Sequence, residues 1–85
     1  MKNTLIKLED ILFVFDSWTL MVKSEFGTNM ELDSEIDLLD DTEKKLGTAK
    51  INRFLPSKNR EITPIEISIL ESPEDMKQVK FVMYG

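Results

Sequence analysis

The stretch Asp10-Ile11-Leu12-Phe13-Val14-Phe15-Asp16-Ser17-Trp18-Thr19-Leu20-Met21-Val22 decides the fold, because it can be read as one helix or as two strands. As a helix, Leu8, Ile11, Phe15, Trp18 and Val22 recur at spacings of three and four and draw a single apolar stripe. As strands, Trp18, Leu20 and Val22 alternate with Thr19, Met21 and Lys23, and Ile11, Phe13 and Phe15 alternate just before them. The residue types favour strands: Ile, Phe, Val, Trp and Thr dominate, Ala is absent, and Asp16-Ser17 sits where a tight turn would connect them. A hairpin is therefore expected across residues 5–26, with strands at 5–15 and 18–26.

Downstream, Gly27-Thr28-Asn29 marks a turn, and residues 33–46 then carry the signs of a helix. Asp33 or Ser34 can cap it, acids fill its first turns, Lys44 and Lys45 lie in its last, and Gly47 follows. Those charges complement the helix dipole at both ends. Ile36, Leu39 and Leu46 would form its apolar face.

After Gly47 the period becomes two. Strands are expected at 49–55, 62–70 and 78–84, with Pro56-Ser57-Lys58-Asn59-Arg60 as a loop and one helical turn at Ser72-Pro73-Glu74-Asp75. The expected architecture is α+β: a small antiparallel sheet of four to five strands with one main helix, 33–46, on one face. Its core would hold Leu12, Val14, Trp18, Leu20, Val22, Ile51, Ile65, Ile67, Ile69, Val79 and Phe81. Residues 1–85 are read as one domain, since no linker or repeat divides them.

The charge is segregated along the chain. Glu31, Asp33, Glu35, Asp37, Asp40, Asp41 and Glu43 come with no intervening base, followed by Lys44, Lys45, Lys50, Arg53, Lys58 and Arg60 with no intervening acid. The net charge of −5 disfavours nonspecific attraction to nucleic acid or anionic lipid and favours a basic partner. With no His and no Cys, the commonest proton-transfer residue and the most reactive nucleophile are both missing, so an enzyme is not expected. No Gly-rich phosphate loop is present, and no cofactor is implied. The Asp33, Glu35, Asp37 spacing begins like a calcium loop, but Leu38 stands where the required Gly belongs and Lys44 where the required Glu belongs, so no metal site is expected.

The longest uncharged apolar run, Ile11 to Phe15, is far below the roughly 20 residues of a membrane helix, and a cytoplasmic protein is expected. The functional expectation is a protein-binding module: an acidic inhibitor, immunity or anti-defence protein that blocks a basic, nuclease-like partner. Glu35, Asp37, Asp40, Asp41 and Glu43 would make the contact. The alternative is a small nucleic-acid-binding regulator using Lys50, Arg53, Lys58 and Arg60. A homodimer is also expected, because a chain this short buries little core and ends in an apolar strand able to pair with a copy of itself.

Overall fold

Alternation of apolar and polar side chains governs nearly every element of this chain. The structure is a computed structural model that describes residues 4–84. Its strands are β1 (Thr4–Lys7), β2 (Asp10–Val14), β3 (Ser17–Lys23), β4 (Glu35–Leu39), β5 (Lys45–Phe54), β6 (Ile62–Glu71) and β7 (Phe81–Tyr84). One short helix, α1 (Ser24–Gly27), follows β3, and a 3-10 turn (Met76–Gln78) precedes β7. All seven strands join one antiparallel sheet in the order β1-β7-β4-β5-β6-β3-β2.

The two outermost strands, β1 and β2, are consecutive in the chain. At the corner between them, the Leu8 amide donates to the Lys80 carbonyl (2.9 Å), just before β7, while the next amide, Glu9, donates to Met21 (2.7 Å) on β3. Neighbouring peptides thus bond to opposite margins of the sheet, which must curl into a half-barrel to bring those margins together. The concave side holds the core: Ile6, Leu20, Val22, Ile36, Leu38, Ile51, Ile65, Val79 and Val82 have essentially no exposed surface. Each such side chain contributes about 1.5–3 kcal/mol by leaving water.

Three β-bulges adapt β5 and its neighbours to the curl. One, at Ile51–Arg53 against β6, adds a residue, so that Ile51 and Phe54 both pack on the concave side while Arg53 points out. A second makes Leu46 the extra residue of β5 against β4, and a third, near Thr48, makes Leu70 the extra residue of β6. Here the β6 backbone lies over Gly47, where a Cβ would collide with the Glu71 carbonyl oxygen and crowd Pro73. Gly47 ends no helix. It is the place where two strands approach too closely for any side chain.

The main correction concerns residues 33–46. They form β4, a loop and the start of β5, so the fold is mostly β and has no main helix on a sheet face. Glu35-Ile36-Asp37-Leu38 is itself a period-two pattern, with Ile36 and Leu38 buried and the acids on the convex side. Asp33 and Glu43 have φ of 65° and 66°, in the left-handed region that a helix excludes. Ile36 and Leu39 are buried and Leu46 half-buried, all within the sheet.

Smaller differences follow from register. The 5–15 strand is split at the Leu8-Glu9 corner, the 18–26 strand ends at Lys23, and the turn falls at Phe15-Asp16, one residue before the expected Asp16-Ser17. In this register Ile11 and Phe13 face Leu20 and Trp18, so Leu12, expected in the core, is 41% exposed and Val14 half-buried. Leu20, Val22, Ile51, Ile65, Ile67 and Val79 are buried as expected, with Trp18, Ile69 and Phe81 half-buried. The helical turn lies at Met76–Gln78, capped by the Asp75 carboxylate on the Lys77 amide (2.9 Å). Strand β7 is paired on both sides, by β1 and β4, so it offers no free edge for self-pairing.

Replacing Gly47 by Ala should destabilise the protein by about 1–3 kcal/mol through overpacking against the Glu71 backbone. Urea titration would show this as a lowered midpoint with an unchanged slope. A midpoint equal to that of the native sequence would mean that the two strands part freely at this point.

Candidate interaction surface

Strands β4 and β5 bring the acidic and basic blocks of the sequence face to face. In their register Glu35 lies opposite Lys50 and Asp37 opposite Thr48. Asp37 pairs with Lys45 (3.6 Å), Asp33 with Lys50 (3.8 Å), and Arg53 makes a two-pronged contact with Glu66 on β6 (both 3.1 Å). The exposed pairs contribute little stability, but across a hairpin they cancel each other's field. Much of the charge that looks uncompensated along the sequence is therefore compensated across the sheet.

The five candidate contact acids occupy three settings. Glu35 and Asp37 lie on the convex face of β4, beside the bases of β5. Asp40 organises the β4–β5 loop: one of its carboxylate oxygens accepts from the Thr42 hydroxyl (2.7 Å), the Thr42 amide (2.9 Å) and the Lys44 amide (2.9 Å). The Thr42 hydroxyl above all, then the Lys44 and Thr42 amides and the Lys44 charge, hold the Asp40 carboxyl below the usual aspartate range against a small opposing effect of burial. Asp41 and Glu43 are exposed at the loop tip and belong to no ion pair among the described residues.

The alternative basic set is divided. Lys50 and Arg53 are engaged with acids on the convex face, whereas Lys58 and Arg60 lie in the exposed 55–61 loop at the opposite end of the half-barrel. Near that end a cleft of about 560 Å³ is lined by Glu9, Lys23, Ser24, Glu25, Asn59, Glu61 and Ile62. The Ser24 hydroxyl there donates to the Arg60 carbonyl (2.7 Å) and lies 2.8 Å from the Thr63 hydroxyl, ties that hold α1 to β6. Among the described residues no cluster of His, Cys, Asp and Glu is arranged to hold a metal ion, and no helix is long and apolar enough to cross a membrane.

Sequence reasoning missed the tip of the β2–β3 hairpin. Phe15 and Asp16 have φ of 50° and 61°, both left-handed, as a type I′ turn between Val14 and Ser17 requires. That conformation suits Asn and Gly and costs a residue such as Phe about 1 kcal/mol or more. Phe15 is nevertheless 94% exposed, Phe13 is 57% exposed, and Phe13 meets Trp18 edge to face at 5.1 Å. The sequence carried one signal of this. The run Ile11 to Phe15 is apolar at both parities, and a strand that buries one face must show the other set or run past the end of the core.

Strand directions put this tip at the same end of the half-barrel as the acidic loop. Strand β5 begins at that loop, β6 returns toward it, and β3 pairs β6 so that Ser17 lies at the Glu71 end. Three strand spacings separate the two hairpin tips, about 14 Å along the sheet. No protein-family model matches the chain, and searches of curated proteins and of solved structures return no match either.

The hydrogen bonds at Asp40 set a pH dependence. Because its carboxyl is held below the ordinary aspartate value of about 3.9, its ionised form stabilises the fold. That contribution is complete above about pH 4 and is lost as pH falls through the lowered value. Replacing Asp40 by Asn should therefore lower Tm at pH 7, with the gap to the native protein closing below about pH 4. Melting curves of both proteins from neutral to strongly acidic pH test this, and a gap that persists into acid would assign the effect to loop geometry instead.

Proposed function

We propose that this chain is a non-enzymatic protein-binding module that occupies a basic surface on another protein. The form of activity we assign is that of an acidic inhibitor, immunity or anti-defence protein blocking a nuclease-like partner in the cytoplasm. The observation that carries the reading is the state of Asp41 and Glu43: both are exposed at the tip of a hairpin loop and unpaired among the described residues. Around them the convex face is internally neutralised by Lys45, Lys50 and Arg53. Glu71 and Asp16 lie at the same end, so the field that a partner meets is concentrated there. Carboxylates presented in this way can occupy a site that binds phosphates and accelerate encounter with a cationic protein.

Within the proposed contact set of Glu35, Asp37, Asp40, Asp41 and Glu43, the members would have different duties. Asp40 shapes the loop, Asp37 and Glu35 face cations of their own chain, and Asp41 and Glu43 are free to meet foreign ones. Charge reversal is therefore best made at Asp41 and Glu43, which leaves the Asp40 hydrogen bonds, the Asp37 ion pair and the apposition of Glu35 to Lys50 intact.

Affinity capture from the native cell at low and at high salt, with the native chain and with the D41K/E43K variant, tests the reading. A basic protein should be retained by the native chain at low salt and released at high salt. The variant should associate with the captured protein about tenfold more slowly or worse. Recovery of nucleic acid without protein would end this reading, as would a variant that captures as well as the native chain.

A further inference from the structure

Among the described residues, strand β2 is an edge strand that pairs only with β3. In a two-residue hairpin the closing pair, Val14 and Ser17, is hydrogen-bonded, and bonding alternates along the strand. Leu12 therefore bonds toward β3, while Ile11 and Phe13 turn their amides and carbonyls to the open edge. The Ile11 amide is already taken by the carboxylate of its neighbour Asp10 (2.8 Å). Phe13 is left with backbone groups that have no partner among the described residues, beside the exposed rings described above.

Edge, rings and turn conformation together are difficult to explain by folding alone. An unpaired edge with exposed Phe13 and Phe15 invites association, and Phe15 stands in a backbone conformation that Asn would adopt more easily. An exposed aromatic held in a disfavoured conformation indicates a contact made elsewhere. Leu70, 50% exposed on the stretch of β6 that runs past the paired part of β3, extends the apolar area at this end.

The charge around the tip selects the occupant. Asp16 stands in the turn itself and Glu71 ends β6 on the same side, with no base between Lys7 and Lys23, whereas Glu9 and Asp10 lie at the far end of β2. A second copy is disfavoured: antiparallel pairing centred on the Phe13 backbone groups would set Asp10 of one copy against Asp16 of the other. A nucleic acid would meet the same acids. We infer that the β2–β3 hairpin tip is a docking element whose Phe13 and Phe15 rings enter an apolar pocket rimmed by Lys or Arg on a partner protein. This surface shares the sign of the partner's charge with the proposed function but uses different residues.

The sole tryptophan, Trp18, reports on the site because it meets Phe13 edge to face. Its emission can be titrated with four probes: an alternating Lys/Leu peptide, a Glu/Leu peptide, a Lys/Ser peptide and single-stranded oligothymidine. A saturable shift is expected with the Lys/Leu peptide alone. Phe15→Asn should weaken that binding at least about tenfold while raising Tm by about 4 °C, because Asn suits the left-handed turn. The D41K/E43K variant should retain the Trp18 response, which separates this site from the acidic loop. The inference is overturned by no saturable response, by an equal response to the Glu/Leu or Lys/Ser peptide, or by binding of the oligothymidine. It is likewise overturned by a Trp18 shift that depends on the protein's own concentration, which would name a second copy as the occupant, by a loss of stability in Phe15→Asn, or by loss of the response in the charge variant.

Discussion

Everything concave in this molecule depends on two adjacent amides. Leu8 bonds back to Lys80 and Glu9 bonds back to Met21, so a single step of the chain joins the two margins of a seven-stranded sheet. Without that corner the sheet could flatten, and Ile6 and Leu8 at one margin would lose their packing against the apolar side chains of the others. In an 85-residue chain without cysteines, curling a sheet is the available way to enclose a core, since there is no second layer to cover it. The bulges in β5 and the bare Gly47 serve the same curvature, letting a ten-residue strand bend where a regular one would strain.

The strands outside residues 33–46 were largely legible, while the mostly β character of the fold and its topology were not. Ile65, Ile67 and Ile69 gave an unambiguous half-buried strand, and the aromatic and β-branched content of residues 10–22 correctly favoured a hairpin over a helix. Residues 33–46 misled because acids followed by lysines satisfy two different electrostatic rules. Along a helix they complement its dipole; across a hairpin they neutralise each other, and nothing local distinguishes the two. The alternation Glu35, Ile36, Asp37, Leu38 was the better guide. The acid-rich sequence Asp40-Asp41-Thr42, which suits a side-chain-capped loop, pointed the same way.

For the candidate surface, the sequence supplied the acids but not their neutralisation, because Asp37 meets Lys45 and Asp33 meets Lys50 only through strand register. It supplied the aromatics of the hairpin but assigned Trp18 to the core and gave no role to Phe13 or Phe15. A one-residue displacement of a turn changes which side chains face outward, and Phe-Asp is far from the Asn-Gly that marks a type I′ turn. What remains after the compensated charges are set aside is one end of the half-barrel, with acids on one hairpin tip and rings on the other.

The strand order has a consequence for the time course of folding. The first strand, β1, finds its partner in β7, the last, and β4 also needs β7 to complete its pairing. The hairpins β2–β3, β4–β5 and β5–β6 are local and can zip early, but the half-barrel closes only when segments far apart in sequence meet. Such topologies fold in milliseconds to seconds, slower than helical chains of equal length. Until β7 inserts, the outer edge of β4 stays open, and the Ile36 and Leu38 it carries are an adhesive surface of the incomplete molecule.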